Sequence, residues 1–536
     1  MARERMASVD TAWLRMDTPR NRMMIVGVKV FDAPPDPAAL RAVIGSRLLA
    51  FCRFRQRAEL HATSAWWVDD EGFDLDAHLL SVRLPAPGDD AALKALVGEL
   101  ASTPLDPARP LWQFHLVTGY RGGGALVARI HHCIADGIAL VGVLLSLTDQ
   151  AVDGARPGPG DSAEAPVAVD VPERRPQADR HECNPWRPWL APLTRSAIQA
   201  IGLGSKAWSR SMDLMVHPER AGDYATAGVR VLRDAASIAL MSDDTPTCLK
   251  GRPGPAKQVA WGPALPLDDM KAVGRVLGAS VNDVLLSCVA GALRRYLLGR
   301  GMAVRGCELR AMVPVNLREP GSGPELGNRF GLVPLVLPVG VANPVERLAE
   351  VRRRMGELKG SYQAILAYGV LGAAGMMPRI AQTQLLDMLA RKATSVMTNV
   401  PGPREPLYLA GARIRRLMFW VPQSGDIGLG VSILSYAGGV QFGVMADAGL
   451  TPDPQAIVDG FEPEFDRLVA CLALLPPEWM AAGTLDPAQV ERAVFATPPV
   501  PASVASSAST SAASASAASS AASAAAVAAA HRVGVP

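Results

Sequence analysis

Eight histidines are spread over 536 residues, and two are adjacent, in the run His131-His132-Cys133-Ile134-Ala135-Asp136-Gly137. They close a stretch that alternates as a strand does. Leu126, Ala128, Ile130 and His132 fall on one face, and Val127, Arg129 and His131 on the other. Neighbouring strand residues point apart, so the two rings are poorly placed to share one metal ion. One ring can face a cavity while the other braces the turn. A neutral imidazole, with an unperturbed pKa of about 6.5, suits general-base work. Asp136 stands in the turn before the next helix, where a carboxylate can orient a ring or hold the loop by an ion pair. Gly137 suits a backbone conformation or a close approach that a side chain would block. A lone histidine is most often a packed or surface residue. The whole pattern at a strand-to-helix junction reads as a catalytic element.

The elements that must position it alternate strand and helix. Met24 to Phe31 is β-branched and reads as a strand, and Ala38 to Leu49 has helical spacing. Trp112 to Leu116 and Ala125 to His132 read as strands joined by the turn Arg121-Gly122-Gly123-Gly124, with Gly137 to Leu147 a buried helix after them. Further on, Leu267 to Leu277 reads as a helix that opens on Asp268 and Asp269 and ends at Gly278, as dipole and C-cap preferences require. Val281 to Leu298 is a helix, Leu332 to Val339 a strand, and Val431 to Tyr436 with Val440 to Met445 a hairpin around Gly438-Gly439. Interleaved strands and helices predict an α/β architecture with mixed sheets.

Composition narrows the function classes. Lys and Arg number 54 against 51 Asp and Glu, a net charge of +3, which argues against a nucleic-acid surface. Aromatic residues make up 5%, too few for base stacking as a theme. The seven cysteines (Cys52, Cys133, Cys183, Cys248, Cys288, Cys307 and Cys471) show no C-x-x-C spacing, so neither a disulfide framework nor a metal site is predicted. That favours a reducing compartment. No apolar run reaches the roughly 18 residues of a spanning helix, and Pro378 closes the longest, Ala364 to Met377. The expectation is a cytoplasmic protein, peripherally associated with a membrane or lipid inclusions at most.

Composition shifts divide the chain into residues 1–153, a Pro-rich linker and helical crossover at 154–257, a second mixed block at 258–490, and an Ala/Ser-rich tail at 491–536 expected to be disordered. Within the crossover, Leu190 to Leu214 is a helix candidate that either packs one face on the body of the protein or, being basic and amphipathic, lies on a lipid surface.

His131 to Gly137 as HHxxxDG resembles the signature of the CoA-dependent acyltransferase superfamily, which includes chloramphenicol acetyltransferases and the condensation domains of peptide synthetases. Other segments are similar, in order, to blocks of the bacterial wax ester synthase/diacylglycerol acyltransferases. These are Pro104-Leu105-Asp106 through Arg109-Pro110-Leu111-Trp112, Ser280-Val281-Asn282-Asp283-Val284, Met312 to Arg318, Gly327-Asn328-Arg329-Phe330-Gly331, and Thr398-Asn399-Val400-Pro401-Gly402-Pro403. Ser8-Val9-Asp10 with Trp13-Leu14 fits the family's N-terminus. The resemblance spans about residues 5 to 480.

The resemblance implies two chloramphenicol-acetyltransferase-like subdomains, with mixed sheets flanked by helices and a channel between them. Strand alternation says only that the two histidines differ; the resemblance assigns the base to His132. That ring would take a proton from a hydroxyl, whose oxygen attacks an acyl-CoA thioester, with no covalent enzyme intermediate and no bound cofactor. Asn282, Asp283, Asn328, Thr398 and Asn399 are placed by it near substrate or oxyanion. Ser280 to Asp283 is equally a capping box. Pro110, Leu111 and Trp112 are expected to fix the strand before the catalytic one. Gly327 and Gly331 either form an ordinary turn or let backbone approach the coenzyme. Arg318 is the expected ion-pair partner of Asp136. The partners implied are acyl-CoA, a diacylglycerol or long-chain alcohol, and a lipid-droplet or inner-membrane surface. Two other readings compete: a condensation-type or secondary-metabolite acyltransferase, and a non-catalytic lipid-binding protein on the same scaffold.

Overall fold

Two strands made almost wholly of apolar residues, Met24–Phe31 and Gly123–His131, are buried along their whole lengths. Such continuous runs need cover on both faces, and the fold supplies it from both halves of the chain. The structure, a computed structural model, describes residues 3–61, 64–121, 123–151, 240–318, 326–359 and 363–473. Most of the 154–257 crossover, Leu190 to Leu214, Cys183 and the Ala/Ser-rich tail lie outside the described residues.

The first stretch runs β1 (Arg3–Arg5), α1 (Ser8–Met16), β2 (Met24–Phe31), α2 (Pro37–Val43), β3 (Gln56–Leu60), β4 (Ala65–Asp69), β5 (Leu79–Arg83), α3 (Asp90–Ser102), β6 (Trp112–Tyr120), β7 (Gly123–His131) and α4 (Gly137–Ser146). The second runs β8 (Lys257–Trp261), β9 (Leu265–Pro266), α5 (Leu267–Val276), α6 (Val281–Gly299), β10 (Leu309–Asn316), β11 (Phe330–Leu337), α7 (Pro344–Lys359), α8 (Gln363–Ala374), α9 (Arg379–Ala390), β12 (Ser395–Pro401), β13 (Tyr408–Leu409), β14 (Ala412–Trp420), β15 (Leu429–Tyr436), β16 (Gly439–Asp447), α10 (Pro454–Asp459) and α11 (Phe461–Ala473).

The strands form a sheet ordered β13-β14-β2-β7-β6-β5, a mixed sheet ordered β11-β10-β12-β15-β16-β8 with β9 on β16, and a small sheet β1-β4-β3. The first sheet does not follow the sequence division. β14, from the second stretch, lies antiparallel to β2 with Trp420 opposite Val26. One face of β2 and β7 (Ile25, Ala128, Ile130) packs with Trp13, Leu140 and Phe330. The other (Val26, Val28, Val30) packs with Leu93 and Val97 of α3 and with Trp261 and Trp420. The second sheet is filled mainly by α6, whose Val284 to Ala290 are buried.

Local signals hold up with small shifts. Gly278, at φ +61°, ends α5 as a left-handed C-terminal residue. The hairpin turn falls on Ala437 and Gly438, both at positive φ (+48° and +80°), as a primed turn requires. The helical signal at Ala38 to Leu49 becomes α2 followed by one π-helical stretch, Ile44–Leu48. Gly123 and Gly124 belong to β7 rather than to the turn: a Cβ on Gly124 would lie 2.9 Å from Pro34. Among the described residues no single helix is long and apolar enough to cross a membrane. α5 and α6 pass that test only together, across a 99° bend.

Candidate active site

The histidine pair is placed by three strands. His131 N–H donates to Leu111 O at 2.9 Å, and His132 N–H to Met23 O at 2.7 Å. Leu111 is held in turn because Trp112 begins β6 with its indole sealed. Trp112 stacks on His78 at 4.5 Å and donates from Nε1 to Phe54 O at 2.9 Å. Leu111 and Trp112 thus lie at the base of the His131–His132 run.

Alternation sends the two rings to opposite environments. Cys133 N–H donates to His131 Nδ1 at 3.1 Å, so that ring closes the turn, and its Nε2 lies 3.9 Å from Asp17 Oδ2. The bond to Nδ1 places the neutral ring's proton on Nε2. Burial, with His132 beside it, pushes His131 down to about 3. The His132 ring stacks on Trp13 at 4.2 Å and 14°, and Phe330 lies 5.6 Å away. Among the described residues its Nδ1 meets no hydrogen-bond partner. Burial pushes His132 down to about 4, while the Asp136 charge works the other way. The ring is therefore neutral at pH 7 and only 3% exposed.

Asp136 organises the turn. Its Oδ1 accepts from Ala139 N–H at 2.9 Å and caps α4. Its Oδ2 accepts from Arg318 Nη1 at 2.5 Å and from Arg329 N–H at 3.0 Å. The expected ion pair of Asp136 and Arg318 is present, with side chains 4% and 10% exposed. Arg318 Nη2 also donates to Gly327 O at 2.7 Å. Gly327 N–H donates to Ile134 O at 3.1 Å, which lays this segment alongside residues 134 to 136. Gly327 sits at φ +108°, a conformation that only glycine adopts without strain.

Several sequence expectations change here. Gly137 has no positive φ, and a Cβ on it would come no closer than 4.0 Å to Val421. It occupies the first position of α4, where an ordinary helical residue fits. Gly331 serves packing rather than a coenzyme: a Cβ there would lie 1.8 Å from Ala364 O, so its absence lets α8 rest on β11. Asn328 is no free oxyanion donor. Its Nδ2 donates to Asp10 Oδ1 and to His132 O, both at 2.8 Å. It ties the His132 backbone to α1. Asp283 Oδ2 is spent on Ser280 N–H at 2.9 Å, the capping box of α6. Thr398 Oγ1 donates to Val431 O at 3.3 Å. Asn282 and Asn399 meet each other, Asn399 Nδ2 donating to Asn282 Oδ1 at 2.8 Å. No hydrogen bond among the described residues joins that pair to His132 or Asp136.

Two residues that reach the histidine region were assigned no role from sequence. Trp13 covers the His132 ring, and Asp10 anchors Asn328, with burial pushing its carboxyl up to about 6. Their spacing of three puts them on one helix face, which is the signal the sequence offered. Among the described residues no cluster of three or more His, Cys, Asp or Glu side chains could hold a metal ion.

Two domain models match the chain: the wax ester synthase/diacylglycerol acyltransferase catalytic domain over residues 6–285, and the C-terminal domain of the same family over 326–469. The chain belongs to the wax ester synthase/diacylglycerol acyltransferase family. It is an acyltransferase. A probable diacylglycerol O-acyltransferase of Mycobacterium tuberculosis is 30% identical over 478 residues, 87% of this chain and 96% of that protein. A putative diacylglycerol O-acyltransferase of Mycobacterium bovis is 30% identical over 485 residues, 87% and 90% of the two chains. The solved wax ester synthase/diacylglycerol acyltransferase of Marinobacter aquaeolei VT8 shares the fold at TM-score 0.61 and 21% identity, covering 88% of this chain and all of that one. The first condensation domain of the calcium-dependent antibiotic synthetase aligns at TM-score 0.52 and 16% identity, covering 91% and 99%. The expected fold class, paired mixed-sheet subdomains with flanking helices, stands.

Proposed function

We propose that this acyltransferase moves a fatty acyl group from acyl-CoA to the hydroxyl of a diacylglycerol or a long-chain alcohol, with His132 as general base. The observation that carries this reading is the state of the His132 ring. It is neutral by burial, held between Trp13 and Phe330, and set where both halves of the chain meet beside the Asp136–Arg318 pair. A neutral imidazole accepts the hydroxyl proton as the oxygen attacks the thioester carbonyl. The carbonyl carbon becomes tetrahedral, the C–S bond breaks, and the imidazolium returns its proton to the departing thiolate. Because burial lowers the basicity of His132, its imidazolium is a strong proton donor to that thiolate. Asp136 opposes burial electrostatically and so favours the charged ring during turnover.

A water-insoluble acceptor must be met at a lipid surface. α8 and the start of α9 carry the matching patch: Ile365, Met376 and Ile380 are 59%, 72% and 76% exposed. Gly375, just past α8, packs against the Ser8 backbone at the start of α1, the helix that carries Trp13. This reading puts lipid contact next to the catalytic histidine.

The test is purified protein with labelled palmitoyl-CoA and, separately, dioleoylglycerol, hexadecanol and a small amine, with products resolved by chromatography. Ester formation with a hydroxyl acceptor is expected, abolished by His132→Ala. Product with the amine alone would point to condensation-type chemistry. No transfer to any acceptor would leave only a lipid-binding scaffold. Met376→Glu with Ile380→Glu is expected to reduce co-sedimentation with phosphatidylcholine vesicles; unchanged sedimentation would remove the patch from the reading.

A further inference from the structure

A second feature lies on the same sheet face as His132 and has no part in the proton transfer. Between β2, β14 and α4 opens a narrow cleft. Its walls are apolar, with Leu144, Leu417, Phe419 and Leu434 among them. One cation, Lys29, lines it. Lys29 sits on β2 opposite Leu126 of β7 and Leu417 of β14, and is 6% exposed. Among the described residues its ammonium has neither a hydrogen-bond nor an ion-pair partner. Burial alone shifts it, down to about 8, with no carboxylate opposing among the described residues.

The ammonium keeps some access to the cleft, but a charge so largely withdrawn from water, with no partner among the described residues, is costly. A site that needed only packing would be served better by Met or Leu. The floor of the cleft is also kept open: a Cβ on Gly27 would find nothing closer than 3.9 Å. We propose that this cleft binds a free long-chain fatty acid, with the carboxylate on the Lys29 ammonium and the chain along the apolar walls over Gly27. A single ammonium among aliphatic side chains matches an amphiphilic monoanion. The phosphates of a coenzyme need several donors, and a lipid hydroxyl offers no charge to compensate the lysine. Six residues separate Leu126 from His132, which places Lys29 about 20 Å along the sheet from the catalytic ring. The site is thus separate from the reacting atoms but on their side of the sheet.

Equilibrium binding of labelled palmitate to the full chain, with methyl palmitate as the uncharged comparison, tests this without any turnover. Palmitate is expected to bind at least about tenfold tighter than its ester, as a charge-assisted contact implies. Lys29→Met, of similar shape, should abolish that preference, and Gly27→Leu should weaken both ligands by filling the floor. Absence of palmitate binding, equal binding of acid and ester by the unaltered protein, or a preference that survives Lys29→Met would each overturn the proposal. The acid-against-ester comparison needs no variant, so a poorly folded substitution leaves it decidable.

Discussion

The two faces of the strand end at 131 and 132 carry the same side chain in equally buried positions, and they do different work. On one face His131 is tied to the turn by the Cys133 N–H and lies beside Asp17. On the other, His132 rests between aromatic rings with Nδ1 unpartnered among the described residues. Both rings are neutral for the same reason, burial. What separates them is where the hydrogen bonds go. On the proposed reading, a ring whose acceptor nitrogen already serves a backbone N–H is a poor base for a substrate hydroxyl, and the ring with a nitrogen left open is the better one.

The sharpest way to break this contrast is to remove each ring in turn. His132→Ala is expected to lower the rate about a thousandfold while the thermal melt stays near that of the unaltered protein. His131→Ala should do the reverse. It leaves the Cys133 N–H without its acceptor, costs about 1 to 3 kcal/mol, and keeps the rate per folded molecule within about tenfold. Equal rate losses in the two variants would end the distinction.

Asp136→Asn comes next. Asparagine can still cap α4, but the charge facing Arg318 is gone. Breaking a buried pair costs about 3 to 5 kcal/mol, read by denaturant titration. A rate loss should accompany it, because the turn that carries His132 shifts. Full stability in that variant would show that the pair is not what fixes the turn.

A smaller effect is the acid side of the stability profile. Both rings titrate lower in the folded protein (about 3 and about 4) than in the unfolded chain, where the ordinary value is about 6.5. Below pH 6.5 the unfolded chain binds the extra protons. The contribution of the neutral rings is complete above pH 6.5 and lost as pH falls toward 4. Denaturation midpoints between pH 7 and 4 should fall less steeply in His131→Ala than in the unaltered protein. An unchanged slope would mean that His131 is not held neutral by burial.

The last comparison sets two glycines side by side, and one of them carries the smallest effect of all. Gly137→Ala should change stability by about 0.5 kcal/mol or less, since its Cβ has room. Gly331→Ala should be severely destabilising, because its Cβ would meet a backbone oxygen at 1.8 Å. Comparable melts for the two would contradict the packing of α8 on β11.

Much of this was legible without coordinates. The strand Met24 to Phe31 is marked by a run of β-branched residues, and α6 by Ser280 and Asp283 at capping-box spacing. The run from His131 to Gly137 is marked by adjacent histidines before a turn aspartate. Each signal is local and needs only neighbours within a few residues. Trp13, Asp10 and Asn328 were harder to place, because their contacts with the His132 region cross 119 to 318 residues of chain. No local period records a meeting at that distance. The role of Gly137 was misjudged because a glycine in a motif suggests conformational need, whereas its real neighbours are set by Val421, far along the chain.

The amino-acid order alone thus determined the strands, the helix starts and stops, the histidine pair and the opposed directions of its rings, because backbone geometry imposes those over a few residues. Only the folded molecule decided which ring has a nitrogen left open, that β14 crosses into the first sheet, and that Lys29 meets no partner among the described residues. Those outcomes depend on which distant surfaces are pressed together. Burial and hydrogen-bond satisfaction select among such meetings only when the whole chain has folded.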